Sequence, residues 1–481
     1  MRALLYSLIN NLMYYKYSRR LLVMLIKRAV MKALYSGNNK FSNTSARIQN
    51  EKKLMVLSII SSLVRSIEKG NIKRSVSRAV LQLWGDALAK PRDENAAVKD
   101  FYAKNGFYPP WFLVISPGHA CNLSCSGCYA SSAESKGAKL DLDIVERLIM
   151  EAKKLWGIKL VVFSGGEPFA YRSAGKDILD IVEKNQDILF LAFTNGTLFD
   201  SELVSRMAAL KNLTPAFSVE GMEEETDSRR GKGTFNKVLG AMETMRKAGV
   251  PFGISVTVNS TNIEELLSER FIDFFFGRNG AFYGFFFQYM PIGKEADFTM
   301  MPSAQQRFSF WKNLWETIEK QSIFLIDFWN HGPLVRGCIS AGRDGGYFYI
   351  DWNGNIMPCV FTPYSAANIV QFYNTGKNLE DIWNLPFFKS IRDWQSQQGH
   401  GTGNPIETGN LLMPCPFRDH NEQFMEWVQM HGCKAEDAAA MQNMKDPAYR
   451  QKMADYGKEL AKFFDPVWKE EYLNKKCKVK S

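Results

Sequence analysis

Short apolar runs alternate with helix-like segments over the middle of the chain, and this alternation is the strongest constraint on its fold. Candidate strands occupy 111–116, 159–163, 188–194, 215–219, 252–258 and 283–288. Candidate amphipathic helices between them include 142–155, 201–210, 234–247 and 262–275. Six strand-then-helix units predict an α/β fold with a parallel sheet and helices outside it. In such folds the reactive groups gather at the carboxyl ends of the strands.

Three closely spaced cysteines follow the first predicted strand. Cys121, Cys125 and Cys128 have the spacing C-x3-C-x2-C. Thiolates are soft ligands that favour iron–sulfur clusters or zinc. Three of them in one loop can hold three irons of a [4Fe–4S] cube and leave the fourth iron to a ligand that is not protein. An electron-carrier cluster or a structural zinc site would call for a fourth cysteine nearby, although the motif alone also fits a zinc or structural loop.

The cysteine loop, with the aromatic Tyr129 directly after Cys128, resembles the signature of the radical S-adenosylmethionine (SAM) superfamily. The resemblance implies that SAM binds the open iron and is split by one electron. The 5′-deoxyadenosyl radical so formed abstracts a hydrogen atom from the substrate. The resemblance also implies a partial (β/α)6, TIM-like barrel and a small electron donor such as flavodoxin or ferredoxin.

The second predicted strand ends in the sequence Ser164-Gly165-Gly166-Glu167-Pro168. It resembles the family's GGEP motif, whose residues bind the amino group of SAM. Glycines let the backbone approach a ligand closely, and a carboxylate accepts hydrogen bonds from an ammonium group. Taken alone, the same sequence also fits an ordinary strand-to-helix turn.

Later strand ends supply the remaining candidates for the SAM pocket. The resemblance implies that Asn195 lines the SAM pocket and that Ser218 lies near the SAM ribose. It also implies an acidic residue near Ser218; this residue is Glu220, where the usual residue is Asp, so Ser218 is the preferred candidate of the two. The stretch 227–235 resembles D-x-x-R-G-x-x-G-x-F, whose arginine pairs with the SAM carboxylate. By register that arginine is Arg230. Weaker candidates are Arg229, the other arginine of the doublet, and Thr257. Gln288 and Met290 lie on the expected substrate side, where either could equally be wall packing.

A second set of cysteines lies beyond the barrel. Cys338, Gly354 and Cys359 follow the pattern C-x15-G-x4-C around a hairpin with an Asn-Gly turn. This resembles the opening of SPASM or Twitch auxiliary-cluster domains, although the dense cysteine run of a full SPASM domain is missing. The resemblance implies one second [4Fe–4S] cluster.

The cysteines available to that cluster can also be read as buried core residues. Cys338, Cys359 and Cys415 are the preferred ligands. The fourth ligand is Cys433, His420 or an open site. Cys477, in a lysine-rich tail, is predicted to be a free surface thiol.

The first fifty residues carry nine Lys or Arg and no Asp or Glu, which is nearly all of the net charge of +10. Apolar residues recur there at helical spacing, in runs too short to span a membrane. A cationic amphipathic helix suits an anionic lipid surface, so residues 1–35 are a candidate peripheral membrane contact. A helix packed on the catalytic domain with a solvated basic face is the equal alternative, and no nucleic-acid partner is expected.

The domain organisation predicted from these features has four parts. They are a helical basic unit at 1–105, the barrel at 106–325, a SPASM- or Twitch-like region at 326–440 and a helical tail at 441–481. No signal peptide is evident, and the cysteine pattern favours metal ligation in a reducing compartment, so a cytoplasmic location is expected.

The fold and its cofactors do not choose the substrate. The cationic N-terminus favours a lipid or membrane-associated substrate, and modification of a peptide or protein is the alternative. A non-catalytic iron–sulfur electron-transfer protein is the alternative of another class, but it leaves the GGEP-like turn and Arg230 without a role.

Overall fold

An open, mostly parallel sheet of ten strands organises the computed structural model, which describes residues 2–35, 45–89, 95–132, 137–294, 296–399 and 409–473. Strands β1 to β7 pair in parallel and in chain order. The other edge of β1 pairs in parallel with β8, and β9 and β11 continue antiparallel. A separate pair joins β10 to β12. The strands are β1 Phe112–Ile115, β2 Leu160–Phe163, β3 Leu189–Thr194, β4 Leu213–Val219, β5 Gly253–Val258, β6 Tyr283–Gln288, β7 Phe324–Asp327, β8 Tyr349–Ile350, β9 Asn355–Met357, β10 Tyr364–Ser365, β11 Ala367–Asn368 and β12 Lys434–Ala435.

The predicted α/β fold with six parallel strands is therefore confirmed, and the sheet is extended at both edges. The strands are almost wholly apolar because helices cover the outer face of the sheet and aromatic side chains fill its inner face. The hairpin predicted around Gly354 forms β8 and β9, and it joins the sheet beside β1. The second set of cysteines is thereby brought to the edge of the barrel.

Helices precede, alternate with and follow the strands. They are α1 Arg2–Met13, α2 Lys16–Tyr35, α3 Ala46–Glu68, α4 Arg74–Ala89, α5 Ala96–Asn105, α6 Leu142–Trp156, α7 Ile178–Lys184, α8 Ser201–Leu210, α9 Glu223–Arg230, α10 Thr234–Ala248, α11 Glu269–Ile272, α12 Ala304–Gln321, α13 Gly332–Val335, α14 Ile369–Asn374, α15 Leu379–Trp383, α16 Pro386–Gln397, α17 Pro416–Asp419, α18 Asn421–Met430, α19 Ala438–Lys445 and α20 Pro447–Val467. Cys477 lies outside the described residues.

One predicted helix is wrong, because the segment 262–275 is broken into three pieces. A 3-10 turn at Glu265–Leu267 is followed by α11 and then by a π-helix at Asp273–Arg278. Ser268 interrupts the first helix because its hydroxyl accepts a hydrogen bond from the Phe271 amide at 3.1 Å and starts a new one. Asn262 is not part of a helix, because its side-chain amide donates a hydrogen bond to the Glu220 carbonyl at 2.8 Å.

The N-terminal helices pack on the barrel. Helix α3 lies along β7, where the Ser62 hydroxyl accepts a hydrogen bond from the Phe324 amide at 3.2 Å. Helix α1 packs on α4, and the Tyr14 hydroxyl donates to the Ile72 carbonyl at 2.9 Å. Among the described residues, none of the helices is both long and apolar enough to cross a bilayer.

Candidate active site

The cysteine loop after β1 is fastened to the turn after β2 by backbone hydrogen bonds. The Gly166 amide donates to the Gly118 carbonyl at 3.1 Å, and the Glu167 amide donates to the Ala120 carbonyl at 2.9 Å. A Cβ atom at Gly166 would stand 2.3 Å from the Ala120 oxygen, so only glycine allows this approach. The GGEP-like turn thus fixes the position of the loop that carries Cys121, Cys125 and Cys128.

These three cysteines are half-buried at the carboxyl end of the barrel. Burial raises the pKa of Cys121 to about 11. The Asn195 side-chain amide, at the end of β3, donates to Cys121 Sγ at 3.6 Å and to Asn122 Oδ1 at 2.9 Å. Hydrogen bonds to sulfur are a common feature around iron–sulfur clusters, so this donor set fits a three-thiolate cluster site.

Two further predicted residues, Tyr129 and Glu167, join neighbouring strand ends. The Tyr129 hydroxyl lies 2.7 Å from Ser164 Oγ and accepts a hydrogen bond from the Gly165 amide at 3.1 Å. The buried Glu167 carboxylate accepts hydrogen bonds from Thr194 Oγ1 and the Asn195 amide, both at 2.8 Å. Burial raises the pKa of Glu167 to about 7. Its carboxylate therefore braces the turn after β3 against the GGEP-like turn.

Glu220, which the sequence interpretation ranked below Ser218, is the most heavily bonded acid of the site. It is 1% exposed, and its Oε1 accepts hydrogen bonds from Arg229 Nη1 at 2.6 Å and Arg230 Nε at 2.8 Å. Arg229 also donates to Thr257 Oγ1 at 3.1 Å and to a carbonyl of the cysteine loop. The structure thus brings both arginines of the doublet to the cluster side, held by one carboxylate. Ser218 is half-buried on the adjacent strand β4.

The other two weaker candidates lie elsewhere. Gln288 is buried, and its Oε1 accepts a hydrogen bond from Arg418 Nη1 at 3.3 Å. Phe286, two residues earlier on the same face of β6, packs on Phe310 of α12. Gln288 therefore faces outward from the barrel, while Met290 is buried in the main core.

Cys338, Cys359 and Cys415 line one cavity of about 310 Å³ beside the barrel. Cys359 Sγ lies 3.0 Å from the Tyr347 hydroxyl and accepts a hydrogen bond from the Phe361 amide at 3.5 Å. Cys415 precedes α17, and its Sγ accepts a hydrogen bond from the Arg418 amide at 3.4 Å. Burial raises the pKa of Cys359 to about 12. A cavity with three thiols and donors aimed at sulfur fits an auxiliary cluster.

The two candidates for a fourth ligand do not line this cavity. Cys433 lies three residues after the end of α18, and its backbone amide donates to the Val428 carbonyl at 3.0 Å. His420 Nε2 is paired with the Met413 carbonyl at 3.0 Å. His331, which sequence reasoning missed, does line the cavity, and its Nε2 has no hydrogen-bond partner within the described ranges. Only its position next to a strand end could have drawn attention to it.

A cluster of packed aromatic rings, here called the aromatic cluster, connects the two sets of cysteines inside the barrel. Phe287 lies between Phe193 and Phe361, with ring centroids 5.4 and 5.7 Å away. Phe361 also lines the auxiliary cavity and lies 6.1 Å from the Tyr129 ring. The aromatic cluster therefore forms an apolar surface that reaches both cysteine sites.

Comparison with known proteins adds family matches to this geometry. Residues 115–271 match the Radical SAM superfamily, and residues 338–403 match the SPASM iron–sulfur cluster-binding domain. The chain is 27% identical over 309 residues to the AdoMet-dependent heme synthase of Methanosarcina barkeri, covering 58% of this chain and 84% of that protein. It is 25% identical over 280 residues to the sporulation killing factor maturation protein SkfB of Bacillus subtilis, covering 55% and 63%.

The chain is also similar to one relative over a longer alignment and to one solved structure in its fold. The chain is 24% identical over 356 residues to the PqqA peptide cyclase of Gluconobacter oxydans, covering 66% of this chain and 94% of that one. The crystal structure of Streptococcus suis SuiB bound to S-adenosylmethionine superposes with a TM-score of 0.50 at 18% identity, covering 66% and 75% of the two chains. The chain is a radical SAM superfamily enzyme that uses a [4Fe–4S] cluster and SAM, with a SPASM-type auxiliary iron–sulfur region behind its barrel.

Proposed function

We propose that this enzyme abstracts a hydrogen atom from an apolar side chain of a peptide and oxidises the peptide. The aromatic cluster between the two cysteine sites carries the proposal, because an apolar side chain that packs against it would lie next to both. The names of two relatives, a maturation protein and a peptide cyclase, support a peptide as the substrate.

The residues at the strand ends hold the cofactors in this proposal. Cys121, Cys125 and Cys128 ligate the SAM-binding cluster, and Cys338, Cys359 and Cys415 ligate the auxiliary one. SAM contacts lie among the residues Tyr129, Gly165, Gly166, Glu167, Asn195, Ser218 and Arg230. When bound, SAM and its cluster supply a 5′-deoxyadenosyl radical, and the auxiliary cluster can accept an electron.

The protein itself contributes position and protection. Arg229 and Arg230 offer guanidinium groups to a carboxylate, and Glu220 sets their orientation. Phe193, Phe287 and Phe361 present packed apolar rings, so a carbon radical held against them is shielded from side reactions with water.

The test is anaerobic turnover followed by mass spectrometry. Wild type, reduced and given SAM, should form 5′-deoxyadenosine, and Cys125→Ala should not. Peptides and lipids from cells producing either protein are then compared. We expect a peptide that has lost two hydrogens only with wild type, and Phe361→Ala should still form 5′-deoxyadenosine while yielding less product. Wild-type 5′-deoxyadenosine with no change in any peptide would refute the choice of a peptide.

A lipid substrate is the second candidate, and the N-terminal helices favour it. Leu8, Tyr17, Leu21 and Leu25 are at least half exposed on α1 and α2, among cationic side chains and without any acid in residues 1–50. Such a face suits the surface of an anionic membrane. A changed lipid in the same comparison of cell extracts would support it.

A further inference from the structure

A second cavity lies at the amino ends of the barrel strands, and it shares Ile59, Phe324 and Ile326 of its lining with the auxiliary cysteine cavity. This second cavity has a volume of about 410 Å³ and is lined by the first residues of β2, β3, β4 and β7, which are Leu160, Leu189, Leu213 and Phe324. In barrels of this type the amino ends of the strands serve stability, and the chemistry lies at the other end. None of the residues proposed above to hold SAM or the two clusters lines this basal cavity.

Helices of the N-terminal unit form the other wall of the basal cavity. Ile59 and Leu63 of α3 and Val80 and Leu81 of α4 face the strand ends across it. The cavity also reaches Phe285 in the middle of β6. It is therefore a deep apolar space, of the size that encloses small-molecule ligands.

The polar groups along the wall are already satisfied by other protein groups. Asn212 Nδ2 donates to the Asn185 and Ile188 carbonyls, each at 3.1 Å. Thr214 Oγ1 lies 3.0 Å from the Tyr283 hydroxyl. A buried water needs several free polar partners, and an apolar cavity without them stays dry and takes up apolar molecules.

Lys211 is the charged residue of the lining. It ends α8 with a left-handed backbone (φ 68°), and its amide donates to the Met207 carbonyl at 3.1 Å. Within the described residues its ammonium group has neither an ion pair nor a hydrogen bond. A lysine at the C-terminal end of α8 also interacts favourably with the helix dipole. The contribution of its charge to ligand binding must therefore be tested separately from its contribution to the stability of α8.

The wall of this cavity is connected to the exposed cationic helices. Helix α1 is fastened to α4 through the Asn10 amide, which donates to the Arg74 carbonyl at 2.9 Å, and through Tyr14 Oη, 2.8 Å from Ser77 Oγ. Ser77 itself lines the cavity. Next to α1, helix α2 exposes Leu21 and Leu25. A surface suited to anionic lipid thus lies beside an apolar cavity with a cation in its wall.

We propose that the basal cavity binds a fatty acyl chain whose anionic head pairs with Lys211. The acyl chain fills the space between α3, α4 and the strand ends, where an empty cavity forfeits packing contacts. The head is a carboxylate or a phosphate, since both accept hydrogen bonds from an ammonium group. The proposal requires neither SAM nor a particular substrate, although the site adjoins the auxiliary cysteine cavity.

Titration of the reconstituted full chain with oleate, below its micelle concentration, tests the proposal. We expect saturable one-to-one binding by wild type and its loss in Val80→Trp, whose indole fills the cavity from the side of α4. Leu63→Phe is a second filling variant, should the first lose iron or unfold at a lower temperature. Absence of saturable oleate binding by wild type, or wild-type affinity in both filled variants, would overturn the proposal.

The charge is tested with Lys211→Asn, because asparagine tolerates the left-handed backbone. It should weaken oleate binding about tenfold and leave the binding of oleyl alcohol unchanged, whereas Lys237→Asn on exposed α10 should change neither. Equal loss of both probes, or no loss of oleate, would remove Lys211 from the site. Native mass spectrometry after mixing with phosphatidylglycerol vesicles separates a retained phospholipid from a free fatty acid, and a retained peptide in their place would contradict the proposal.

Discussion

Replacing Glu220 with glutamine tests the arrangement that holds the two arginines beside the first cysteine loop. The substitution keeps the size of the side chain and removes its negative charge. Glu220 is 1% exposed and the two arginine side chains are 11% exposed, so Arg229 and Arg230 would be left facing each other with little water to screen them. Both the fold and the binding of SAM should respond.

The structure sets the size of both effects. Removing one partner of a buried ion pair costs about 3–5 kcal/mol, and the slight exposure of the arginines places this case near 3 kcal/mol. If Arg230 pairs with the SAM carboxylate, losing its fixed orientation costs about 2 kcal/mol of binding, or roughly thirtyfold in the dissociation constant.

The chain contains a matched control at its other end. Asp419 Oδ1 accepts hydrogen bonds from Arg307 Nη1 at 2.7 Å and Arg418 Nε at 2.9 Å, and all three side chains are at most 1% exposed. Asp419→Asn should therefore lower the free energy of unfolding at least as much as Glu220→Gln does. Because it lies beside Cys415, it should leave SAM binding unchanged.

Urea unfolding of the iron-free proteins and equilibrium dialysis of SAM with the reconstituted proteins measure the two quantities. Wild-type SAM affinity in Glu220→Gln would refute the positioning role of Glu220. Equal weakening in Asp419→Asn would show that the loss of SAM binding follows stability alone.

Three further predictions concern the turn, the auxiliary cavity and pH. Gly166→Ala should prevent assembly of the first cluster, because its Cβ would meet the Ala120 oxygen at 2.3 Å; iron analysis and ultraviolet–visible spectra check this. Cys415→Ser should lose the auxiliary iron while Cys433→Ser keeps it, since Cys415 lines the cavity and Cys433 does not; full iron in both would exclude Cys415. Burial lowers the pKa of His331 from 6.5 to about 3, so between these pH values the unfolded chain binds a proton that the folded chain does not. The free energy of unfolding should fall on acidification through this window by at most about 5 kcal/mol, and urea titrations at pH 4 and 7 should show a smaller fall in His331→Gln; an equal fall would contradict the assignment.

The strands could be predicted from sequence because both of their faces are buried. Such strands are continuous apolar runs, and the turns that follow them carry the glycines and polar residues that stand out in the sequence. The helix at 262–275 could not be predicted, because its interruption depends on Asn262 bonding to the carbonyl of Glu220, forty-two residues away. A local periodicity contains no information about such a partner.

The same limit applies to the site. Residues within one turn, such as Gly165, Gly166 and Glu167, could be recognised from their order alone. The bridging role of Glu220 needs the ends of β4 and α9 to meet, and the place of His331 needs the start of α13 to face Cys359 and Cys415 across one cavity. Sequence spacing reveals neither of these contacts, so Glu220 was ranked below Ser218 and His331 was missed.

Two carboxylates each bridge a pair of arginines, and each of these bridges lies beside one of the two sets of cysteines. Glu220 bridges Arg229 and Arg230 beside Cys125 and Cys128, and Asp419 bridges Arg307 and Arg418 beside Cys415. Each bridge holds one more positive charge than negative charge, in surroundings that water hardly reaches. A buried excess charge is costly unless an opposite charge lies near it. Thiolates bound to iron supply negative charge, so the ionised cysteines and the excess arginine charge stabilise each other. Buried carboxylates also lie near the two bridges, Glu167 near Arg230 and Asp327 near Arg307, and ionised cysteines add to the negative charge that these carboxylates supply.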